Sequence, residues 1–383
     1  PKPEAVSGGH TADGWRGVTE AAFGHSVLVS GEEREGRKAV SKKQEPGAAG
    51  RATIRDVASA AKTGKTSVSR YLNGEKHLLS DALKERIGRA ISLLDYQPSQ
   101  MARSLKSGQT RLIGLILADI TNPYSVDVMR GVEAACRQEG LTLLVCNTNN
   151  ELDQEKHYLQ LLSSYRVDGI VVNAVGMREA AISTLQQANL PMVLIDRKVA
   201  NFACDVIGLN NVEATRMMTG HLLQQGFEAL LFISEPANIN TRFDRLHTFL
   251  KCMQQSPQHI AEQGEIELSN TEGLDNLLRD FVARHADKHK AVMCVNGALT
   301  LQVARAMQRL NLRWGPDIGL SGFDELVWAD LAGVGITTLR QPTYDMGVTA
   351  LQQLVTRIQG NSDPVADLEF SGELIARGST AAR

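Results

Sequence analysis

The sequence predicts an α/β protein in two unequal parts: a small all-α head built on a helix-turn-helix, then a large body of parallel sheets. Two patterns and a charge split predict it. Residues 53–74, TIRDVASAAKTGKTSVSRYLNG, form two short helical periods broken by a tight turn. From Leu112 onward, apolar strand-length runs alternate with amphipathic helical stretches. Residues 51–111 carry twelve Lys or Arg against five acids, so the stretch is strongly basic although the whole chain is at -2.

In the head, Thr53 or Asp56 is placed to cap a first helix whose Val57, Ala60 and Ala61 face a small core. Thr63-Gly64 makes the turn, and Val68 and Leu72, four apart, face the same core from the second helix. The other face is left with Lys65, Thr66, Ser69 and Arg70, donors within about two turns. Arg and Lys pair with guanine, Ser and Thr serve either base edge or phosphate, and a helix of this kind enters a DNA major groove. Thr63-Gly64-Lys65-Thr66 also imitates the end of a phosphate-binding loop. That loop needs glycine five positions before Gly64, where Ser59 stands, and a preceding strand rather than the helix-like DVASAA run.

Ser80 or Asp81 caps a third helix over DALKERIGRAISLLDY, with Leu83, Ile87, Ile91 and Leu94 at helical spacing. It completes a three-helix core, placing the DNA-binding domain at residues 51–98. Pro98 breaks the chain, and SQMARSLKSG follows within a segment 99–110 that reads either as a plain linker or as a hinge helix formed on DNA. In the second case Leu105 is an apolar wedge between minor-groove base steps and Lys106 rests on the backbone.

Residues 1–50 have little periodicity and include GEEREGRKAVSKKQEPGAAG, so they are expected to be a disordered extension. Five scattered cysteines without CxxC spacing argue for a reducing compartment and against a disulfide framework or a zinc site. No apolar run approaches a membrane span and no signal-peptide plan opens the chain, which points to the cytoplasm. Nine histidines occur without HExxH, and no GxSxG is present, so no enzyme is expected and no cofactor or metal is implied.

The body, residues 111–383, carries the strand runs LIGLIL, LTLLVC, GIVVN, MVLID, VIGL, ALLFIS, AVMCV and IGLSGF, with helices near Val126 to Gln138 and Gln154 to Ser164. Such alternation gives parallel sheets with right-handed crossovers, whose ligands sit beyond the carboxyl ends of strands. The residues there are Asp119 to Tyr124, Asn147 to Asn149, Asp196-Arg197, Asn296 and Asp324. Any one of them can simply cap the next helix; several meeting at one cleft make a ligand site.

These segments together resemble the LacI/GalR family of bacterial transcription regulators. The resemblance is carried by TIRDVA, KTSVSRYLNG, LDYQPSQMARSLKSGQTRLIGLI, ITNPYSVDVMRGVEAA, LLVCNTNNELDQEKHYLQLL, RVDGIVV, PMVLIDR, GHLLQQGF and DIGLSGFDE, and it covers all but the first fifty residues. It implies a homodimer on double-stranded operator DNA, with Lys65, Thr66 and Arg70 reading bases, Ser69 and Asn73 holding phosphates, and Ala102 and Leu105 entering the minor groove. It implies a body of two subdomains of the type I periplasmic-binding-protein kind, crossed three times by the chain. An effector between them would meet Pro123, Tyr124, Arg197, Arg216, Phe249, Asn296, Asp324 and Gln341. Two departures stand out: the family's Gly-Val-Ser turn is Lys62-Thr63-Gly64 here, and its Asn-Asp pair is Asn296-Gly297. Loss of an acid beside retained arginines favours a sugar acid, and within the family the resemblance is greatest to regulators answering to 2-ketogluconate. A periplasmic-type sugar binder would share the fold, but not the basic head.

Overall fold

The computed structural model describes residues 52–98, 108–176, 189–199, 202–236 and 239–382. The extension 1–50 and the hinge residues Ala102, Leu105 and Lys106 lie outside these residues.

The head has three helices, α1 (Ile54–Ala60), α2 (Lys65–Leu72) and α3 (Asp81–Leu93). Thr53 precedes α1 and donates its backbone N–H to Asp56 Oδ2 at 2.8 Å, fixing the first turn. Val57, Ala61, Val68, Leu79 and Ile87 close the core. In the turn the left-handed residue is Lys62, at φ 50°, and not a glycine. Thr63 N–H bonds the Ala58 carbonyl at 2.9 Å, and Gly64, extended at φ -83°, is the N-cap of α2 without a side chain to serve it. The altered turn sequence therefore keeps the turn but moves its strain onto a lysine.

The body is two lobes of one design. The first holds β1 (Leu112–Leu117), α4 (Pro123–Glu139), β2 (Thr142–Asn147), α5 (Leu152–Ser164), β3 (Gly169–Val172), β4 (Met192–Ile195) and β5 (Asp205–Leu209). The second holds α6 (Asn211–Gln224), β6 (Ala229–Ser234), α7 (Asn240–Gln254), β7 (Ile260–Glu265), α8 (Thr271–Arg284), β8 (Lys290–Cys294), α9 (Gly297–Arg309), β9 (Gly319–Phe323) and β10 (Thr337–Arg340). The chain then returns with α10 (Thr343–Ile358) and β11 (Asp367–Phe370) to the first lobe, and ends with β12 (Glu373–Ile375) on the second. The sheet orders are β11-β5-β4-β3-β1-β2 and β12-β10-β9-β8-β6-β7, all pairs parallel except β10 with β12. Three crossings, after β5, β10 and β11, join the lobes, as the resemblance implied.

The buried strands are apolar on both faces because both faces are covered. In β1, Ile113, Leu115 and Leu117 meet Val128, Val132 and Leu351 of α4 and α10, while Ile116 joins Leu159 and Leu162 of α5 on the other side. Where α4 crosses α10, Gly131 and Gly347 leave no room for a side chain: a methyl on Gly131 would strike the Tyr344 carbonyl, and one on Gly347 that of Val128. Asp205, at the start of β5, takes Arg357 Nε at 2.7 Å and Nη2 at 2.8 Å, pinning the end of α10 to the sheet.

Candidate functional site: a basic helix face and an interlobe cleft

On α2 the buried Val68 points inward, and Lys65, Thr66, Arg70 and Asn73 are exposed. With half-buried Ser69 they share one face, spaced as one-turn neighbours. Asn73 Nδ2 donates to Ser69 Oγ at 3.3 Å, and Arg70 Nε lies 3.9 Å from Glu75, an exposed pair that holds the guanidinium only weakly. The face is free to meet base edges and phosphates.

Between the lobes is a cleft lined by strand ends from both sheets. Tyr124, Arg197, Asn296, Asp324 and Gln341 meet there, together with Asp119, Asn122, Asn173, Asp196, Glu235, Thr241, Arg242 and Arg245. Asp196 and Asp324, which follow β4 and β9, both adopt left-handed backbone, φ 69° and 73°, where the chain turns out of its sheet at the cleft. Three of the lining side chains carry buried polar atoms without a hydrogen-bond partner among the described residues: Tyr124 Oη, Arg197 Nε and Gln341 Oε1. Buried orphans cost stability unless something pairs with them, so their meeting in one cleft marks a place for a polar ligand.

Three expected effector residues are not brought to this cleft. Phe249 is fully buried in the second lobe's core, its ring 5.2 Å from that of Phe232. Arg216 is exposed because the buried stripe of α6 runs through Ala214, Thr215, Met218 and Leu222; it borders a separate groove with His247 and Lys251. Pro123 is the first residue of α4, where it starts the helix, and it lines an adjoining groove.

An arginine that does line the cleft is Arg245, on α7. It is 5% exposed, sits over the Phe323 ring at 4.0 Å, and donates Nε to Asn211 Oδ1 and Nη1 to the Val295 carbonyl, both at 2.7 Å. Among the described residues it has no ion-paired carboxylate, and burial lowers its pKa, with the charges of Asp324 and Asp196 acting the other way. One signal was legible beforehand: Thr241, Arg245 and Thr248 recur along the buried stripe of α7, and a cation on such a stripe is seldom there without function.

The other cations are differently committed. Arg242 is ion-paired to Glu235 at 2.8 Å, and Glu235 also accepts Asn296 Nδ2 at 2.6 Å. Asn296 meanwhile caps α9, its Oδ1 accepting Leu299 N–H at 2.9 Å, and lines the cleft. Arg197, from the first lobe, donates Nη1 to the Ala174 carbonyl at 3.1 Å and stands 3.6 Å from Asp196. Gly297 leaves space for Asp324, which accepts Gly297 N–H at 2.9 Å and Gln341 Nε2 at 2.6 Å. Burial pushes the Asp324 carboxyl up, opposed by Arg245 and these hydrogen bonds. The cleft thus still lines four acids beside three arginines, so the missing acid at Gly297 does not by itself make it cationic. Glu235 is spent on Arg242 and Asp196 lies beside Arg197, whereas Arg245 has no carboxylate at ion-pair distance among the described residues.

Comparison with known proteins finds relatives for both the head and the body. The family described as bacterial regulatory proteins, lacI family, matches residues 53–99, and that of periplasmic binding proteins and sugar binding domain of LacI family matches residues 110–369. The chain is 43% identical over 335 residues to the transcriptional regulator PtxS of Pseudomonas aeruginosa, covering 87% of this chain and 97% of that one. It is 35% identical over 332 residues to the regulator KdgR of Bacillus subtilis, covering 86% and 98%. A lac repressor dimer bound to operator and an anti-inducer has the same fold, at TM-score 0.74 and 23% identity over 86% of this chain and 99% of that one. The chain belongs to the LacI family of bacterial regulatory proteins: it is a DNA-binding transcriptional regulator.

Proposed function

We propose that this protein is a cytoplasmic homodimeric repressor, released from its operator by a sugar acid of the 2-ketogluconate type. Lys65, Thr66 and Arg70 read bases, Ser69 and Asn73 hold phosphates, and residues 99–110 act as a hinge whose Ala102 and Leu105 enter the minor groove while Lys106 rests on the backbone. The effector reading rests on Arg245, a buried guanidinium without a carboxylate partner among the described residues, on the lobe opposite Arg197. A carboxylate between the two arginines gains charge-assisted hydrogen bonds from each side and draws the cleft shut. Closure strains the hinge pair. A coupling of about 1 to 3 kcal/mol gives roughly 5- to 150-fold weaker operator binding, and DNA weakens effector binding by the same factor.

Calorimetry with 2-ketogluconate and gluconate beside glucose and ribose tests the ligand. Operator sequences selected from random DNA test the head. Arg197→Met and Arg245→Met are expected to abolish release but keep operator binding, and Arg216→Met, off the cleft, to leave the response intact. Arg70→Ala is expected to cost about 1 to 3 kcal/mol and relax preference at one base pair. A neutral sugar binding as tightly as its acid, with both cleft variants unaffected, would refute the sugar-acid assignment and favour the cleft's carboxylates as hydroxyl acceptors instead.

A further inference from the structure

Glu155 lies on α5 and is 1% exposed, yet among the described residues it has no ion pair. A buried carboxylate is tolerated only when hydrogen bonds replace its water. Here they come from the backbone that follows β3: Val175 N–H reaches Glu155 Oε2 at 2.5 Å, and Gly176 N–H also donates to the carboxylate. One residue earlier, the Ala174 carbonyl accepts Arg197 Nη1 at 3.1 Å. No other hydrogen bond of the Arg197 side chain is made among the described residues; its Nε is buried without a partner, and the Asp196 carboxylate at 3.6 Å is beyond hydrogen-bond range. Leu152, one turn before Glu155, packs under Gly176 from the same helix.

Resting on the proposed effector site, we infer that Glu155 is a positioning residue for effector binding: it grips the amides of Val175 and Gly176, so that the Ala174 carbonyl holds Arg197 in place at the cleft wall. Glu155 does not line the cleft. Its influence passes through three residues of backbone and one arginine, carried chiefly by the hydrogen bonds to Val175 and Gly176, with a smaller charge attraction to Arg197 beside them. Glutamine at this position retains the acceptor oxygen; alanine has none.

The test uses the full chain and 2-ketogluconate. Glu155→Ala is expected to weaken binding about ten-fold or more, Glu155→Gln less than about three-fold, and neither to change operator affinity in the absence of ligand. On an Arg197→Met background Glu155→Ala is expected to add less than about two-fold, since its effect is already lost. Full additivity on that background, or failure of glutamine to rescue, overturns the inference. A second arm needs no ligand. In the free protein, Glu155→Ala is expected to speed hydrogen exchange at Val175 and Gly176 and to shift the Arg197 Nε–H resonance, with Glu155→Gln close to wild type; an unmoved Arg197 signal overturns the inference even if no sugar acid binds, an outcome that would separately dismiss the effector proposal. Should Glu155→Ala fail to fold, Glu155→Asp, which draws the carboxylate back by one methylene, carries the same comparison.

Discussion

Arg245 lies over the face of Phe323, its guanidinium carbon 4.0 Å from the ring centroid. The ring closes β9, the arginine comes from α7, and the contact holds a buried cation that has no ion-paired acid among the described residues. The aromatic face supplies negative potential without supplying a competing carboxylate, which leaves the charge available to a ligand.

Phe323→Leu removes that face while keeping an apolar side chain. Affinity for 2-ketogluconate is expected to fall by about 0.5 to 2 kcal/mol. Phe281→Leu, a core change in the same lobe but away from the cleft, is the control: comparable loss of melting temperature with unchanged affinity. Equal affinity losses in the two variants would show that the ring matters only as packing.

Burial holds the Asp324 carboxyl above its ordinary value of 3.8. Its contribution to stability is present below 3.8 and is lost as pH rises through the folded-state value, because there the unfolded chain gives up the proton first. Asp324→Asn lacks this penalty, and a flip of the Gln341 amide offers its unpartnered oxygen to the new donor. The variant's urea midpoint, measured against wild type, is expected to gain as the solution goes from acid to neutral. A gap that shrinks over that range would contradict the assignment.

Lys62 occupies left-handed backbone at φ 50° in the helix-turn-helix. A non-glycine residue there costs about 1 to 2 kcal/mol, part of which glycine returns to the unfolded state as entropy. Lys62→Gly is expected to stabilise the head by about 1 kcal/mol, visible as slower hydrogen exchange in α1 and α2. Faster exchange would mean that the lysine side chain contributes more than its backbone costs.

Gly131→Ala places a methyl against the Tyr344 carbonyl at the α4–α10 crossing, where neither helix backbone can yield cheaply. Overpacking of this kind costs about 1 to 3 kcal/mol. Thermal denaturation should show it, and a variant as stable as wild type would mean that the helices separate without loss.

The body's class was legible because both-face burial writes continuous apolar runs such as LIGLIL and ALLFIS into the sequence. Of the four edge strands, β2 carries the apolar run LTLLVC, and the other three write no such signal. β7, IAEQGE, alternates half-buried with exposed residues, β11 is mostly exposed and β12 is three residues long, so none stands out from loop. The cleft was half legible. Strand-end polar residues such as Asp196 and Asp324 announce themselves by position, whereas Arg245 sits mid-helix, and only the phase of the α7 stripe separates it from Arg216 on α6. Arg216 was matched by resemblance alone, and the periodicity of α6 puts it on the solvent side.

The first lobe takes its last two pieces, α10 and β11, from residues 343–370, after almost all of the second lobe has been synthesised. On the ribosome, β5 therefore emerges long before its β11 neighbour, and α4 long before the helix that covers Val128 and Val132. At about 5 to 20 residues per second the waits are roughly ten to forty seconds. The run from β6 to β10 is contiguous and closes first, while the earlier half of the nascent chain carries an uncovered apolar helix face, open through that interval to chaperones and to neighbouring copies on the same message.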